Sequence, residues 1–187
     1  MARQALPAQH RNVPPKLQLL LLGTAGIGKT HTAQVGINEV RIALGSYDSV
    51  LTMAFSGVAS ANLGTGSRTI DSIFHTNRAD AGEDLTGVDL DNLVDELQHV
   101  ELIVIDEIST CGATALDVEG RRMQQVGRGL RRRTCKTAPP ANMGSFGGVG
   151  VVLMGDFAQI PPVLGTSLMA GMPIVESSGE SGRCLAL

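Results

Sequence analysis

The sequence predicts an α/β domain, a mainly parallel sheet covered by helices on both faces. Three apolar runs of strand length, at 17–22, 102–105 and 149–153, are too hydrophobic to leave either face in water. Segments with helical periodicity lie between them, the alternation that a parallel sheet needs for its crossovers. Each run also ends in a polar or glycine-rich cluster: residues 23–30, then Asp106-Glu107, then Asp156 to Gln159. Ligands of open parallel sheets gather at the carboxyl ends of the strands, so the three clusters are expected to converge on one site.

Residues 1–15 are polar, proline-bearing and aperiodic, and are expected to form an extended arm before the domain proper, 16–165. A first strand over 17–22 leads into Gly23-Thr24-Ala25-Gly26-Ile27-Gly28-Lys29-Thr30. Ala33, Ile37, Val40 and Leu44 then recur at helical spacing, and Gly45 supplies a stop, which predicts a helix over 29–44. A second strand fits 49–55. Short helical turns follow at 59–63 and 69–75, split by Gly64-Thr65-Gly66, and 80–87 reads as a loop. Leu90, Leu93, Val94 and Leu97 predict an amphipathic helix over 89–99 with its acids in water. The strand 102–105 precedes a helix over 113–126, expected to break or kink near Gly120. Residues 139–148 read as a loop, and the strand 149–153 runs into Gly155-Asp156-Phe157-Ala158-Gln159-Ile160-Pro161-Pro162, where the tandem prolines fix φ and stiffen the turn.

Composition narrows the function classes. A chain of 187 residues with 43% hydrophobic and 18% charged residues suits one globular domain with a sizeable core. With no Trp, one Tyr and four Phe, a nucleic-acid surface made of rows of aromatic platforms is not expected. Three widely spaced cysteines make neither a disulfide framework nor a metal site, and the four histidines lack ligand spacing, so free thiols in a reducing, intracellular compartment are expected. The apolar stretches are strand-sized, so no membrane span is expected. The net charge of −3 is unevenly spread: Asp80, Glu83, Asp84, Asp89, Asp91, Asp95, Glu96 and Glu101 crowd one segment without a Lys or Arg. Arg121, Arg122, Arg128, Arg131, Arg132, Arg133 and Lys136 follow with no acid among them. Two readings of that basic run stay open, a patch that tracks nucleic-acid phosphates and a solvated helix end with a basic loop.

The chemistry sits in the three clusters. G-x-x-x-x-G-K-T after a buried strand is a phosphate loop: backbone N–H groups of 23–30 converge on a polyphosphate, with a helix N-terminus behind them. Lys29 then contacts the β and γ phosphates, and the Thr30 hydroxyl holds Mg²⁺. At the end of strand 102–105, Asp106 is placed to hold Mg²⁺ through water and Glu107 to orient and deprotonate the attacking water. Gln159, a neutral donor and acceptor, suits contact with a γ-phosphate.

These blocks together resemble the first motor lobe of the PIF-type, RecD-like DNA helicases of superfamily one. GTAGIGKT, TMAFSGVASANLGTGSRTIDSIF, VIDEIS and FGGVGVVLMGDFAQIPPV carry the resemblance, which covers about residues 16–165. It implies a RecA-like P-loop lobe of an ATP-driven motor, moving 5′ to 3′ on single-stranded DNA. Such a motor unwinds duplexes or forks during repair, recombination and telomere maintenance. It further implies catalytic roles for Lys29, Glu107 and Gln159, a metal site at Thr30 and Asp106, and a DNA-facing position for Ser56 and Gly57. Ile27, Phe55 and Asp71 stand where the family usually has Thr, Pro and His, and Asp71 adds negative charge near the implied DNA path. The second motor lobe that the family requires is absent from these 187 residues, and 166–187 is expected to be an unpacked tail. The implied location is the nucleus or mitochondrion of a eukaryote, or otherwise the cytoplasm. Two other readings fit the motifs: a non-catalytic nucleotide- or DNA-binding remnant, and a P-loop NTPase of another class.

Overall fold

The computed structural model describes residues 16–76, 82–134, 146–159, 166–168, 170, 174–175 and 184–185. The expected arm at 1–15, the tandem prolines and most of 166–187 lie outside them. Five strands, β1 (Gln18–Leu22), β2 (Val50–Ala54), β3 (Arg68–Thr69), β4 (Leu102–Asp106) and β5 (Gly150–Gly155), form one sheet. Their order is β1-β5-β4-β2-β3 and every pairing is parallel. The helices are α1 (Lys29–Leu44), α2 (Gly57–Leu63), α3 (Ile70–Phe74), α4 (Gly87–Leu97) and α5 (Ala113–Thr134). The expected α/β fold with helices on both faces is the observed one.

Strand pleating divides the interior into two cores. In β4, Ile103 and Ile105 point into a cluster with Met53, Ile73, Phe74, Leu93, Val94, Met123 and Val126, beneath α3, α4 and α5. Leu102 and Val104 point the other way, toward Ile37, Ala59, Leu63 and Met154 under α1 and α2. All five residues of β4 are buried, which is why the run reads as continuously apolar in the sequence. The strand that ends in Asp106-Glu107 is therefore anchored from both sides.

Local signals set the helix boundaries. Gly45 takes a left-handed conformation (φ 65°) and its backbone N–H closes the end of α1, as its position after Leu44 predicts. Ser56 and Thr69 cap α2 and α3 through their side-chain oxygens, which accept from Ala59 N and Ser72 N. The expected break near Gly120 is not found: α5 runs from Ala113 to Thr134 without interruption. One of its glycines, Gly129, serves packing. A Cβ on Gly129 would lie 2.7 Å from Val94 Cγ2, so the absence of a side chain there lets α4 lie close to α5. In the stretch expected to be an unpacked tail, Ser167 forms an antiparallel bridge with Gly112. There too, β6 (Ile174–Val175) pairs with β7 (Cys184–Leu185).

Candidate active site at the carboxyl edge of the sheet

The three polar clusters meet at the carboxyl ends of β1, β4 and β5. The register explains it: Leu22 lies beside Gly155 and Ala54 beside Asp106, so the loops that follow leave one edge together. A hydrogen bond from Gly23 N to Gly155 O, 3.2 Å, ties the first loop to the third. Between them opens a cleft of about 330 Å³ lined by Ala25, Gly26, Gly28, Lys29, Thr30, Asp106, Glu107 and Gln159, among others.

Gly26 and Gly28 take φ of 80° and 89°, a region that side chains rarely adopt, and this turns the backbone around the cleft. Lys29 Nζ donates to the carbonyls of Gly23 (2.5 Å) and Thr24 (2.9 Å), folding the ammonium back over its own loop. Ile27 is 61% exposed and its Cδ1 lies over Gly23. Thr30 Oγ1 donates to Asp106 Oδ2 at 3.2 Å, which joins the start of α1 to the end of β4. The other oxygen of Asp106, Oδ1, accepts from Glu107 N at 2.8 Å. Glu107 itself has φ 56° and ψ 38°, and with His75 it is one of two non-glycine residues at positive φ among those described. A left-handed residue costs on the order of 1 kcal/mol, so this turn is held by its surroundings. Gln159 closes the third loop, its N–H donating to Asp156 O (3.0 Å).

Of the site residues singled out from the sequence, Ala25, Gly26, Gly28, Lys29, Thr30, Asp106, Glu107 and Gln159 line the cleft, whereas Gly23, Thr24 and Ile27 are not among its lining residues. Others also line it. His31, Ala59, Asn62 and Ser109 come to the cleft as well. His31 and Ser109 are neighbours of the motifs, whereas Ala59 and Asn62 arrive on α2, whose docking no local pattern announces. Ser56 contacts Glu107, its Oγ donating to Oε2 at 3.2 Å, a pairing across 51 positions without a sequence signal.

Outside the residues that line the cleft, burial shifts the ionisation of two groups. Glu119 on α5 is fully buried and neither carboxylate oxygen has a hydrogen-bond partner, and burial pushes its carboxyl up to about 8. Cys111, a free thiol just beyond the Glu107 turn, is pushed up to about 12 by burial and then by the Glu119 charge. The basic run of α5 is partly consumed within the fold. Arg133 reaches Asp91 (3.2 Å) and Asp95 of α4, Arg121 pairs with Asp117 (3.1 Å), and Arg122 is buried. The acidic and basic segments of the sequence are thus, in part, partners of one another. Among the described residues no cluster of three His, Cys, Asp or Glu side chains could hold a metal, and no helix is long and apolar enough to cross a membrane.

The family model of the PIF1-like helicases matches residues 11–178. The chain belongs to the PIF1-like helicase family. The ATP-dependent DNA helicase RRM3 of Saccharomyces cerevisiae is 26% identical over 162 residues, 81% of this chain and 19% of that protein. The ATP-dependent DNA helicase Pif1 of a Psychrobacter species is 34% identical over 151 residues, 78% of this chain and 20% of that protein. The chain therefore spans about one fifth of the length of these relatives. Bacteroides Pif1 bound to single-stranded DNA superposes with a TM-score of 0.56 at 28% identity, over 79% of this chain and 30% of that one. The Bacteroides enzyme in complex with ADP-AlF3 and single-stranded DNA gives 0.56 at 26%, over 81% and 31%. The parallel sheet and its helices are those of a RecA-like domain of Pif1 helicases, the fold expected from the motifs.

Proposed function

We propose that the chain is an ATP-hydrolysing lobe of a DNA helicase, and that its cleft binds MgATP. The observation that carries this reading is the convergence of Lys29, Thr30, Asp106, Glu107 and Gln159 on one cleft beside a loop whose Gly26 and Gly28 sit at positive φ. In this reading the N–H groups of 23–30 and the α1 N-terminus bind the phosphates, and Lys29 leaves the Gly23 and Thr24 carbonyls to neutralise them. Thr30 Oγ1 and Asp106 Oδ2, 3.2 Å apart, are hard oxygen donors of the kind Mg²⁺ takes alongside phosphates and water. Held by these two groups, Mg²⁺ would supply neutralisation of the phosphate charge. Glu107 accepts the proton of the attacking water, and Gln159 contacts the γ-phosphate from the third loop.

Single-stranded or forked DNA is the proposed partner, with 5′ to 3′ movement and duplex unwinding in repair, recombination and telomere maintenance as the process. That the relatives are ATP-dependent DNA helicases, and that Bacteroides Pif1 binds single-stranded DNA, supports DNA as the partner, while the direction and the process rest on the resemblance of the motifs. Unwinding is proposed to need a second motor lobe beyond these residues, since two lobes must close around ATP to move along a strand. Such a lobe also carries an arginine finger worth on the order of 10³ to 10⁵ in turnover, so this lobe by itself should hydrolyse slowly. The free, buried Cys111 suits a reducing intracellular compartment.

Isothermal titration of the chain with MgATP tests the nucleotide assignment. Wild type is expected to bind, and Lys29→Ala to lose at least ten-fold in affinity, about the value of one charge-assisted contact to phosphate. Equal affinity in the two proteins would remove Lys29 from the phosphate site.

A further inference from the structure

The hydroxyl of Ser56 has two bonds at once, and they connect elements that the sequence keeps apart. Its oxygen accepts from Ala59 N at 3.2 Å and so caps α2, while its proton goes to Glu107 Oε2, also at 3.2 Å. Glu107 needs such a restraint. Its backbone is left-handed (φ 56°), its N–H is fixed by Asp106 Oδ1 at 2.8 Å, and its carboxylate stands in an open cleft. A flexible carboxylate in an open cleft samples several rotamers, and only some of them aim an oxygen at the reacting water.

We propose that Ser56 is a positioning residue for Glu107: its hydroxyl holds Oε2 and leaves Oε1 to accept from water. The inference rests on the assignment of Glu107 as the base under the proposed function. The geometry gives the arrangement a direction of control. Ser56 belongs to the turn between β2 and α2, and its lone pair is occupied by the first turn of α2, so a displacement of α2 carries the hydroxyl with it. The chain Ala59 N–H to Ser56 O–H to Glu107 carboxylate also polarises the hydroxyl toward the acid, strengthening the second bond.

The test uses Ser56→Gly, which removes the hydroxyl yet costs the start of α2 only a few tenths of a kcal/mol, and Ser56→Thr, which retains it. ATP hydrolysis is measured at saturating single-stranded DNA. Ser56→Gly is expected to lower kcat about ten-fold, the rate equivalent of one hydrogen bond to a charged group, with KM for ATP and half-saturation by DNA both within two-fold. Ser56→Thr is expected to restore kcat. An unchanged or raised kcat in Ser56→Gly, or a Ser56→Thr that fails equally, overturns the proposal. A loss confined to half-saturation by DNA overturns it as well. A second readout is independent of turnover: urea unfolding of Ser56→Gly, Glu107→Ala and the double variant. If the two side chains are bonded, the double variant loses less than the two single losses combined, whereas additive losses overturn the pairing. A wild-type chain without ATPase activity would thus defeat the proposed function, and with it the catalytic part of this inference, while the unfolding cycle would still decide whether Ser56 and Glu107 are paired.

Discussion

Glu119 makes the stability of this lobe depend on pH in a direction opposite to the usual carboxylate. The side chain lies in the interior of α5 with neither oxygen bonded, and burial raises its carboxyl from an ordinary 4.5 to about 8. Between those values the folded protein keeps a proton that the unfolded chain releases. The folded state then binds more protons than the unfolded one, so stability is fully present below about pH 4.5 and falls as pH rises to about 8. At ~1.4 kcal/mol per pH unit the loss is on the order of 5 kcal/mol, an upper bound that water penetration would reduce. That is comparable with the whole stability of many domains. Glu119→Gln removes the ionisable group while keeping its shape. Urea unfolding midpoints from pH 5 to 9 should fall in wild type and change much less in Glu119→Gln. The two proteins should be nearly equal at pH 5, with the variant the more stable at pH 9. Parallel pH profiles would refute the argument, since they would mean that Glu119 is solvated or paired in the folded state.

Two further outcomes follow from the packing. A Cβ at Gly155 would lie 2.9 Å from Ile108 Cγ2 and 3.2 Å from Ser109 N, so Gly155→Ala should cost about 1–3 kcal/mol. It should also disturb the turn that carries Glu107, which thermal unfolding and ATP turnover would record together. Arg133→Ala removes an exposed guanidinium from Asp91 and Asp95 and should leave the urea midpoint nearly unchanged, with any small loss shrinking further at high salt.

Elements bounded by glycine or by a change of periodicity were legible in the sequence. Helix α1 ends at Leu44 because Gly45 alone accepts the left-handed turn there, and β4 announces itself because both of its faces are buried. The motif clusters were legible for a geometric reason: parallel strands in register deliver their carboxyl ends to one edge. Gly120 misled because a glycine costs an isolated helix about 1 kcal/mol, yet α5 runs through it from Ala113 to Thr134, and the sequence does not show the tertiary packing that carries the helix past it. Glu119 and Arg122 look like surface residues of that helix, and only the tertiary packing of α5 places them inside. The basic run divides likewise: the partners of Arg133 lie on α4, about forty residues earlier, so its apparent availability to phosphates could not be judged before the helices were docked. The approach of α2 to the cleft, with Ser56 against Glu107, is also a property of the assembled sheet.

ATP hydrolysis by the purified chain, with and without single-stranded DNA and beside Glu107→Gln, tests the central claim most directly. The account predicts a slow turnover that DNA raises and that disappears in Glu107→Gln. A folded chain that hydrolyses no ATP, or one whose turnover is the same in Glu107→Gln, would contradict it.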